Sequence, residues 1–163
     1  MEESIMSDRL RMVDDRLAII ELVAQYAFAI DRGDFSCLVS SFLTDGRFYS
    51  EDGQFSAQGH ILLRRLWETE LAKITFSRHI VNHQSIVLDQ DDRDRASGTV
   101  AGHAESVRNG KADIFAMNYH DHYQRNAGRW VFSERKIQFL YYTTSEDYCK
   151  TLPELYPLTG FVK

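Results

Sequence analysis

The chain has 163 residues, of which 44% are hydrophobic and 26% charged, and this balance is typical of one globular domain with a substantial core. Its formal net charge is −5 and its lysines and arginines are scattered, so no basic stripe is available to neutralise nucleic-acid phosphates. The first residues lack a signal-peptide core, and no apolar run approaches the ~20 residues of a membrane span. We therefore expect a cytoplasmic protein that binds neither nucleic acid nor membranes.

A first helix is predicted from Asp14 to Arg32. Its apolar residues recur at intervals of three and four, and Gly33 follows where a glycine commonly ends a helix. This spacing places Tyr26 and Asp31 at the two edges of the buried face. The helix dipole disfavours a carboxylate in the last turn by roughly 0.3–1 kcal/mol, so we expect Asp31 to have a partner elsewhere in the fold. Residues 1–13 are expected to form a mobile or partner-contacting arm.

Two more helices and a hairpin are predicted next. Asp34 is expected to cap a second helix that continues through Phe42, because apolar residues again recur at intervals of three and four. A small β-hairpin is predicted over residues 47–56, with its turn at Glu51-Asp52-Gly53. The third helix is predicted from Gly59 to Ile74, with leucines and a tryptophan on its apolar face.

The second half of the chain has the pattern of long strands. Four runs rich in β-branched and aromatic residues are separated by short turn signals, which predicts an antiparallel meander. The runs are Ser77–Gln90, Arg95–Arg108, Lys111–Gln124 and Arg129–Thr143. Helices followed by a sheet indicate an α+β fold, and such long strands usually curl and enclose a hollow. The tail from Thr144 to Lys163 is apolar enough that we expect it to lie on the domain or on a neighbouring subunit.

No short catalytic motif is present in the sequence, which lacks a Walker loop, a GxSxG elbow, an HExxH helix and an EF-hand loop. Cys37 and Cys149 are lone thiols far apart, so we expect neither a disulfide nor a zinc site. By strand alternation His79 and His83 share a face, but two residues four apart on a strand are separated by about 13 Å, too far to bind one metal. We expect no metal and no cofactor.

The order of the elements and three motifs resemble a known family. The motifs are Tyr26-x4-Asp31-x-Gly33 at the end of the first helix, Ser77-Arg78-His79 opening the first long strand, and residues 128–133, Gly-Arg-Trp-Val-Phe-Ser, in the last strand. They are similar to the SnoaL-like branch of the nuclear transport factor 2-like superfamily, and the resemblance covers roughly Asp14 to Thr143. It implies a cystatin-like α+β cone, in which a curved antiparallel sheet wraps around N-terminal helices.

Within that branch the chain looks most like scytalone dehydratase, hexachlorocyclohexane dehydrochlorinase and bile acid 7α-dehydratase. These enzymes eliminate water or HCl from cyclic substrates with a His–Asp pair and no cofactor, and the resemblance places that pair on His79 and Asp31. The active-site tyrosine of the bile acid enzyme falls on Tyr26. The resemblance also implies a homo-oligomer, either a trimer or a dimer. The residues expected to bind a small hydrophobic substrate are Tyr49, His103, Phe28, Trp67 and Asn118.

Three functions remain open at this point. The first is a dehydratase-type lyase, in which His79 takes a proton while Asp31 orients it and Tyr26 hydrogen-bonds the departing group. The second is a polyketide cyclase or ketosteroid-isomerase-like enzyme with the same dyad. The third is a non-catalytic binding or oligomerising domain, in which Asp31 and His79 form only a structural pair. The lyase predicts that these two side chains meet in a cavity with little water.

Overall fold

The computed structural model describes residues 2–155, with side chains from Ile5 to Leu152. Over the described residues 2–155 the chain forms four helices and six strands, with three of the helices before the four long strands. The helices are α1 (Glu2–Arg32), α2 (Phe35–Ser40), α3 (His60–Leu71) and α4 (Tyr148–Leu155). The strands are β1 (Phe42–Ser50), β2 (Ser56–Gln58), β3 (Ile74–Leu88), β4 (Arg95–Arg108), β5 (Lys111–Asn126) and β6 (Arg129–Thr144).

The strands form one curved mixed sheet in the order β2-β1-β6-β5-β4-β3. Strands β3 to β6 form the predicted antiparallel meander, and the α+β fold class is confirmed. The turn between β4 and β5 has φ angles of 52° at Asn109 and 75° at Gly110, the left-handed region that a two-residue hairpin turn requires. The sequence pattern does not predict one of the strand pairings, in which β1 lies parallel to β6. This pairing attaches the predicted hairpin to the meander.

Helices α1 and α3 pack on the concave face of the sheet and close the core. Ile19 and Val23 of α1 and Leu63 of α3 are each at most 1% exposed. Asp15 fastens α1 to the sheet, since its carboxylate accepts hydrogen bonds from Arg125 and from the indole of Trp130. Within the described residues, none of the helices has both the length and the apolar character that crossing a lipid bilayer requires.

Several predicted boundaries are wrong. The third helix, predicted to reach Ile74, ends at Leu71, and Ile74 instead begins β3. The first helix begins at Glu2 and not at Asp14, because nothing in the sequence before Gly33 breaks α1. That the first 13 residues contact a partner stays a prediction. The second helix ends at Ser40, and Phe42 instead begins β1, where its ring is 2% exposed and lies 5.1 Å from that of Phe132. The pairing of Phe42 with Phe132 across two strands outweighs the helical spacing.

The sequence also predicted the cap of the second helix and the position of the C-terminal tail. Asp34 caps α2 as predicted, with its carboxylate accepting the backbone N–H of Cys37 at 2.9 Å. In the tail, α4 contacts β6, with the rings of Tyr141 and Tyr148 5.9 Å apart. Residues 156–163 of the predicted tail lie outside the described residues. Both cysteines are free thiols.

A substitution of Gly98 in β4 tests how closely the sheet is packed. A Cβ at this position would lie 2.6 Å from the carbonyl oxygen of Ser85 and 3.2 Å from the ring of Tyr123. We expect Gly98→Ala to lower the free energy of unfolding by about 1–3 kcal/mol, measured by urea denaturation. Gly102→Ala is the matched control and should cost less, because its Cβ would meet the flexible side chain of Met117 at 3.3 Å and the backbone oxygen of Ile80 at an ordinary contact distance of 3.7 Å. Equal losses in the two variants would contradict this account.

Candidate active site

A cavity of about 740 Å³ lies between the concave face of the sheet and helices α1 and α3. Its volume is in the range of small-molecule sites, roughly 300–1,000 Å³. Much of its wall is aromatic, contributed by Phe48, Trp67, Phe115 and Phe139. The hollow that the long strands predict is therefore present and is suited to an apolar ligand.

His79 lines this cavity and is hydrogen-bonded to Asp31. The imidazole Nδ1 lies 2.8 Å from the carboxylate Oδ1, and the backbone N–H of His79 donates to both carboxylate oxygens at 3.0 Å. The Ser77 hydroxyl donates a further bond at 3.3 Å. The side chains of Asp31 and His79 are 8% and 12% exposed, so the pair is largely withdrawn from bulk water. Gly33 ends α1 just after Asp31 and leaves its carboxylate facing the start of β3.

The electrostatics of the pair favour an ionised carboxylate. Burial opposes ionisation of Asp31, but the hydrogen bonds from the ring and backbone of His79 and from Ser77 lower the pKa of this carboxyl below its usual value. A carboxylate can only accept, so Nδ1 of His79 carries the proton that joins the two groups. In the neutral imidazole this leaves Nε2 unprotonated and able to act as a base.

Tyr119 is the phenol that borders both His79 and the large cavity. Its ring is 4% exposed, and burial raises the pKa of its hydroxyl to about 12, so the phenol stays protonated at neutral pH. The guanidinium of Arg135 lies 4.1 Å from the ring, on the core side of the sheet. Tyr119 can therefore donate a hydrogen bond to a ligand.

Tyr26 lies deeper than Tyr119. It is 2% exposed and borders a narrow space of about 10 Å³ behind His79, and it is not part of the lining of the large cavity. Its ring packs edge-on against Phe132 at 5.5 Å and beside the guanidinium of Arg135 at 4.4 Å. Burial raises the pKa of its hydroxyl, which has no partner among the described residues. This position corrects the expectation that Tyr26 reaches a ligand in the large cavity.

Comparison with known proteins identifies the family. The profile described as SnoaL-like domain matches residues 11–136, most of the chain. The chain belongs to the SnoaL-like domain family. No curated protein matches this SnoaL-like protein in sequence.

Solved structures similar to this SnoaL-like protein share its fold at low sequence identity. LinA has a TM-score of 0.76 at 21% identity, over 83% of this chain and 92% of that chain. The hexachlorocyclohexane dehydrochlorinase LinA-type3 from Novosphingobium barchaimii LL02 has a TM-score of 0.74 at 19% identity, over 83% and 93%. A scytalone dehydratase-like protein from Novosphingobium aromaticivorans has a TM-score of 0.71 at 20% identity, over 82% and 89%. At these identities the similarity shows the cystatin-like fold.

Of the five predicted substrate-binding residues, only Trp67 of the SnoaL-like protein lines the cavity. Phe28 is 42% exposed on the outer side of α1, with the guanidinium of Arg32 at 5.3 Å from its ring. Tyr49 donates its hydroxyl to Glu134 at 3.0 Å on the outer face of β1. The expectation that Phe28 and Tyr49 line the cavity is therefore wrong.

His103 and Asn118 are also on the outer face of the sheet. His103 lies between the buried Gly102 and Ala104, and Asn118 lies between Met117 and Tyr119, which are 1% and 4% exposed. Because successive side chains of a strand point to opposite faces, a one-residue difference in register removes both from the cavity. The expectation that His103 and Asn118 line the cavity is therefore wrong.

A β-bulge separates the two histidines of β3. The pairing with β4 passes from Val81 opposite Gly102 directly to His83 opposite Ala101, which leaves Asn82 as the extra residue. The bulge reverses the alternation, so His83 is exposed and does not share a face with His79. The expected common face of these two histidines is therefore wrong.

Sequence reasoning missed Tyr119, Arg108 and Asp113, which all line the cavity. The Asn109-Gly110 turn is the sequence signal from which their positions could have been predicted. It fixes the β4–β5 register, with Ser106 opposite Asp113 and Ala104 opposite Phe115. Since Ala104 is also opposite His79, the same register puts every second residue of β5 on the cavity face.

Proposed function

We propose that this SnoaL-like protein is a cofactor-independent lyase that eliminates water or a hydrogen halide from a small hydrophobic cyclic or polycyclic substrate. The observation that carries the proposal is the 2.8 Å bond between His79 and Asp31 at the wall of an aromatic cavity. A neutral imidazole that is held by a buried carboxylate and faces an apolar hollow is suited to remove a proton from carbon.

His79 acts as the general base in this mechanism. Its Nε2 takes a proton from a carbon next to a carbonyl or another electron-withdrawing group, and the C–H electron pair becomes a new C=C bond as the leaving group departs with its own pair. Asp31 fixes the tautomer and stabilises the imidazolium that forms. When the leaving group is hydroxide, the proton on Nε2 is then passed to it and water is released. When it is a halide, the proton leaves to solvent.

Tyr119 supplies a hydrogen bond in the same step. Its phenol is protonated at neutral pH and borders both the dyad and the cavity, so it can donate to a developing oxyanion or to the departing oxygen. This assigns to Tyr119 the role that the family resemblance gave to Tyr26.

The relatives support elimination as the type of reaction. Two of the similar structures are LinA proteins, one of them described as a hexachlorocyclohexane dehydrochlorinase, and a third is scytalone dehydratase-like. Their identities to this chain are 19–21%, so the reaction assigned here rests first on the cavity and the dyad.

A panel of cyclic β-hydroxy ketones, polycyclic hydroxy ketones and chlorinated cyclohexanes tests the proposal, with products analysed by mass spectrometry. The expected product has lost one water or one HCl, and for the hydroxy ketones its ultraviolet spectrum gains the absorbance of a conjugated enone. A product of unchanged mass would assign a cyclase or isomerase instead. Binding of the panel members without any turnover would assign a binding domain.

A matched pair of variants separates the two tyrosines. Removing a donor to a developing oxyanion typically lowers kcat by about 10²–10³-fold, and we expect Tyr119→Phe to lower kcat within or just below this range with little change in KM. Tyr26→Phe removes a hydroxyl behind the dyad and should leave kcat within a few-fold of the wild type. The steady-state rates of the two variants on one panel substrate decide the assignment. A larger loss in Tyr26→Phe would reverse it.

A further inference from the structure

The end of the cavity farthest along β4 from the dyad is polar. Ser106 and Arg108 of β4 and Asp113 of β5 line it, beside the turn that joins the two strands. Ser106 is 2% exposed and Asp113 is 9% exposed, so both are built into the wall of the cavity. Polar side chains placed at one end of an apolar cavity fix the orientation of a ligand.

Arg108 has hydrogen-bond donors that the protein does not use. Its Nε is buried and has no hydrogen-bond partner among the described residues. Its Nη1 lies 3.7 Å from a carboxylate oxygen of Glu70, beyond hydrogen-bond length. Glu70 is already held by Lys73, whose ammonium lies 2.7 Å from the other carboxylate oxygen. The guanidinium of Arg108 is therefore held only by a long ion pair with Glu70, and it borders the cavity, where it can bind a further acceptor.

The carboxylates of the cavity are already engaged. Asp31 binds His79, as described above. Asp113 accepts the hydroxyl of Tyr142 at 2.9 Å, and Asp52 accepts the side-chain amide of Gln54 at 2.8 Å. Arg108 is thus the cation at the polar end that keeps unused donors, and the group that matches the planar donors of a guanidinium is a carboxylate.

The strand register sets the distance between this end and the dyad. Ala104 is opposite His79, and Arg108 is four residues further along β4, or about 13 Å between Cα atoms. Flat aromatic side chains lie along this length. The ring of Phe115 is 6.1 Å from that of His79, and the ring of Tyr142 is stacked on Phe115 at 5.2 Å. A ligand that reaches both ends has a flat apolar body of several rings or a comparable length.

We propose that Arg108 binds a carboxylate on the substrate and thereby places the apolar body of the molecule with its reacting carbon at His79. The substrate class is then a polycyclic or extended aromatic carboxylic acid. This inference rests on the proposed function for the identity of the reacting end, whereas the binding of the carboxylate requires no reaction.

The binding of two fluorescent ligands tests the inference and does not require the protein to convert them. 1-Pyrenebutyrate has a flat apolar body and a carboxylate, and its methyl ester has the same body without the charge. Fluorescence titration of the intact protein is expected to show that the acid binds at least tenfold more tightly than the ester. In Arg108→Gln the affinity for the acid should fall about tenfold, while the affinity for the ester stays the same. Arg129→Gln, at an exposed arginine at the start of β6, is the control and should match the wild type.

Two further variants keep the test decisive. Arg108→Lys retains the charge without the planar fork and should give an intermediate affinity for the acid, with a circular dichroism spectrum that shows a folded protein. His79→Ala should retain the full preference for the acid, so a failure of the lyase proposal leaves this result unchanged. Equal binding of acid and ester by the wild type, or an unchanged preference in folded Arg108→Gln, would overturn the inference.

Discussion

Replacing His79 by alanine is expected to lower kcat by at least 10²-fold on any panel substrate that the wild type converts, because general-base catalysis typically contributes about 10²–10⁴-fold. KM should change little, since the imidazole is one group in a wall that is mostly apolar. The measurement is the steady-state rate of product formation by mass spectrometry. His83→Ala is the matched control, because His83 is on the same strand but exposed on the outer face, and its rate should equal that of the wild type.

Asp31→Asn then distinguishes a catalytic pair from a structural one. The amide keeps the shape of the carboxylate but loses the charge that stabilises the imidazolium, so kcat should fall while the protein remains folded. If His79 and Asp31 only support the fold, both variants would lower the free energy of unfolding and leave kcat of the folded fraction unchanged. Urea denaturation and rates measured on the same samples separate the two outcomes. A wild-type rate in folded His79→Ala ends the lyase proposal.

Much of the fold follows from local patterns in the sequence. The strands β3 to β6 are long, rich in β-branched and aromatic residues, and separated by turns such as Asn109-Gly110, so their pairing and most of their bounds, though not those of β3, were predictable. The end of α1 was predictable for the same reason, since Gly33 adopts a φ of 66°. The meeting of Asp31 with His79 depends on contact between α1 and β3, and the family motif, rather than the local pattern, indicated it.

Side-chain direction is where sequence reasoning failed. Tyr49, His103 and Asn118 each lie on a predicted strand, but each is one position away from a residue that faces the interior. A strand has a period of two, so an error of one residue transfers a side chain to the opposite face. His83 failed for a related reason, because the bulge at Asn82 has no signal in the local sequence.

The buried ion pair between Asp121 and Arg135 was also unpredictable from the sequence. Asp121 stands in the run Asn118-Tyr119-His120-Asp121-His122, which has the composition of an exposed strand. In the structure it is opposite Arg135 in the β5–β6 register, and the two are 2% and 0% exposed. The register of two strands and their position under α1, which no local pattern encodes, decide that this pair is internal.

Breaking the Asp121–Arg135 pair is expected to be the most destabilising single change. Arg135 donates from Nε at 2.8 Å and from Nη2 at 2.9 Å to the carboxylate of Asp121, which also accepts the hydroxyl of Tyr123 at 2.8 Å. Burial opposes the charge on Arg135, but Asp121 raises the pKa of the guanidinium above its usual value, so it stays charged. Asp121→Ala leaves that buried charge uncompensated and should lower the free energy of unfolding by about 3–5 kcal/mol, measured by urea denaturation.

Two controls decide why the pair is present. Glu68→Gln removes the exposed ion pair between Glu68 and Arg64, in which Nε of Arg64 lies 2.7 Å from Oε1 of Glu68. This substitution should lower the free energy of unfolding by at most about 1 kcal/mol. The double variant Asp121→Leu with Arg135→Met replaces both charges by apolar groups and should recover most of the lost stability, because the penalty arises from the unpaired charge. A lower kcat in that folded double variant would indicate that the guanidinium beneath Tyr119 also polarises the phenol for its proposed role as hydrogen-bond donor. If Asp121→Ala is as stable as the wild type, the buried ion pair does not stabilise the fold in the way that its burial indicates.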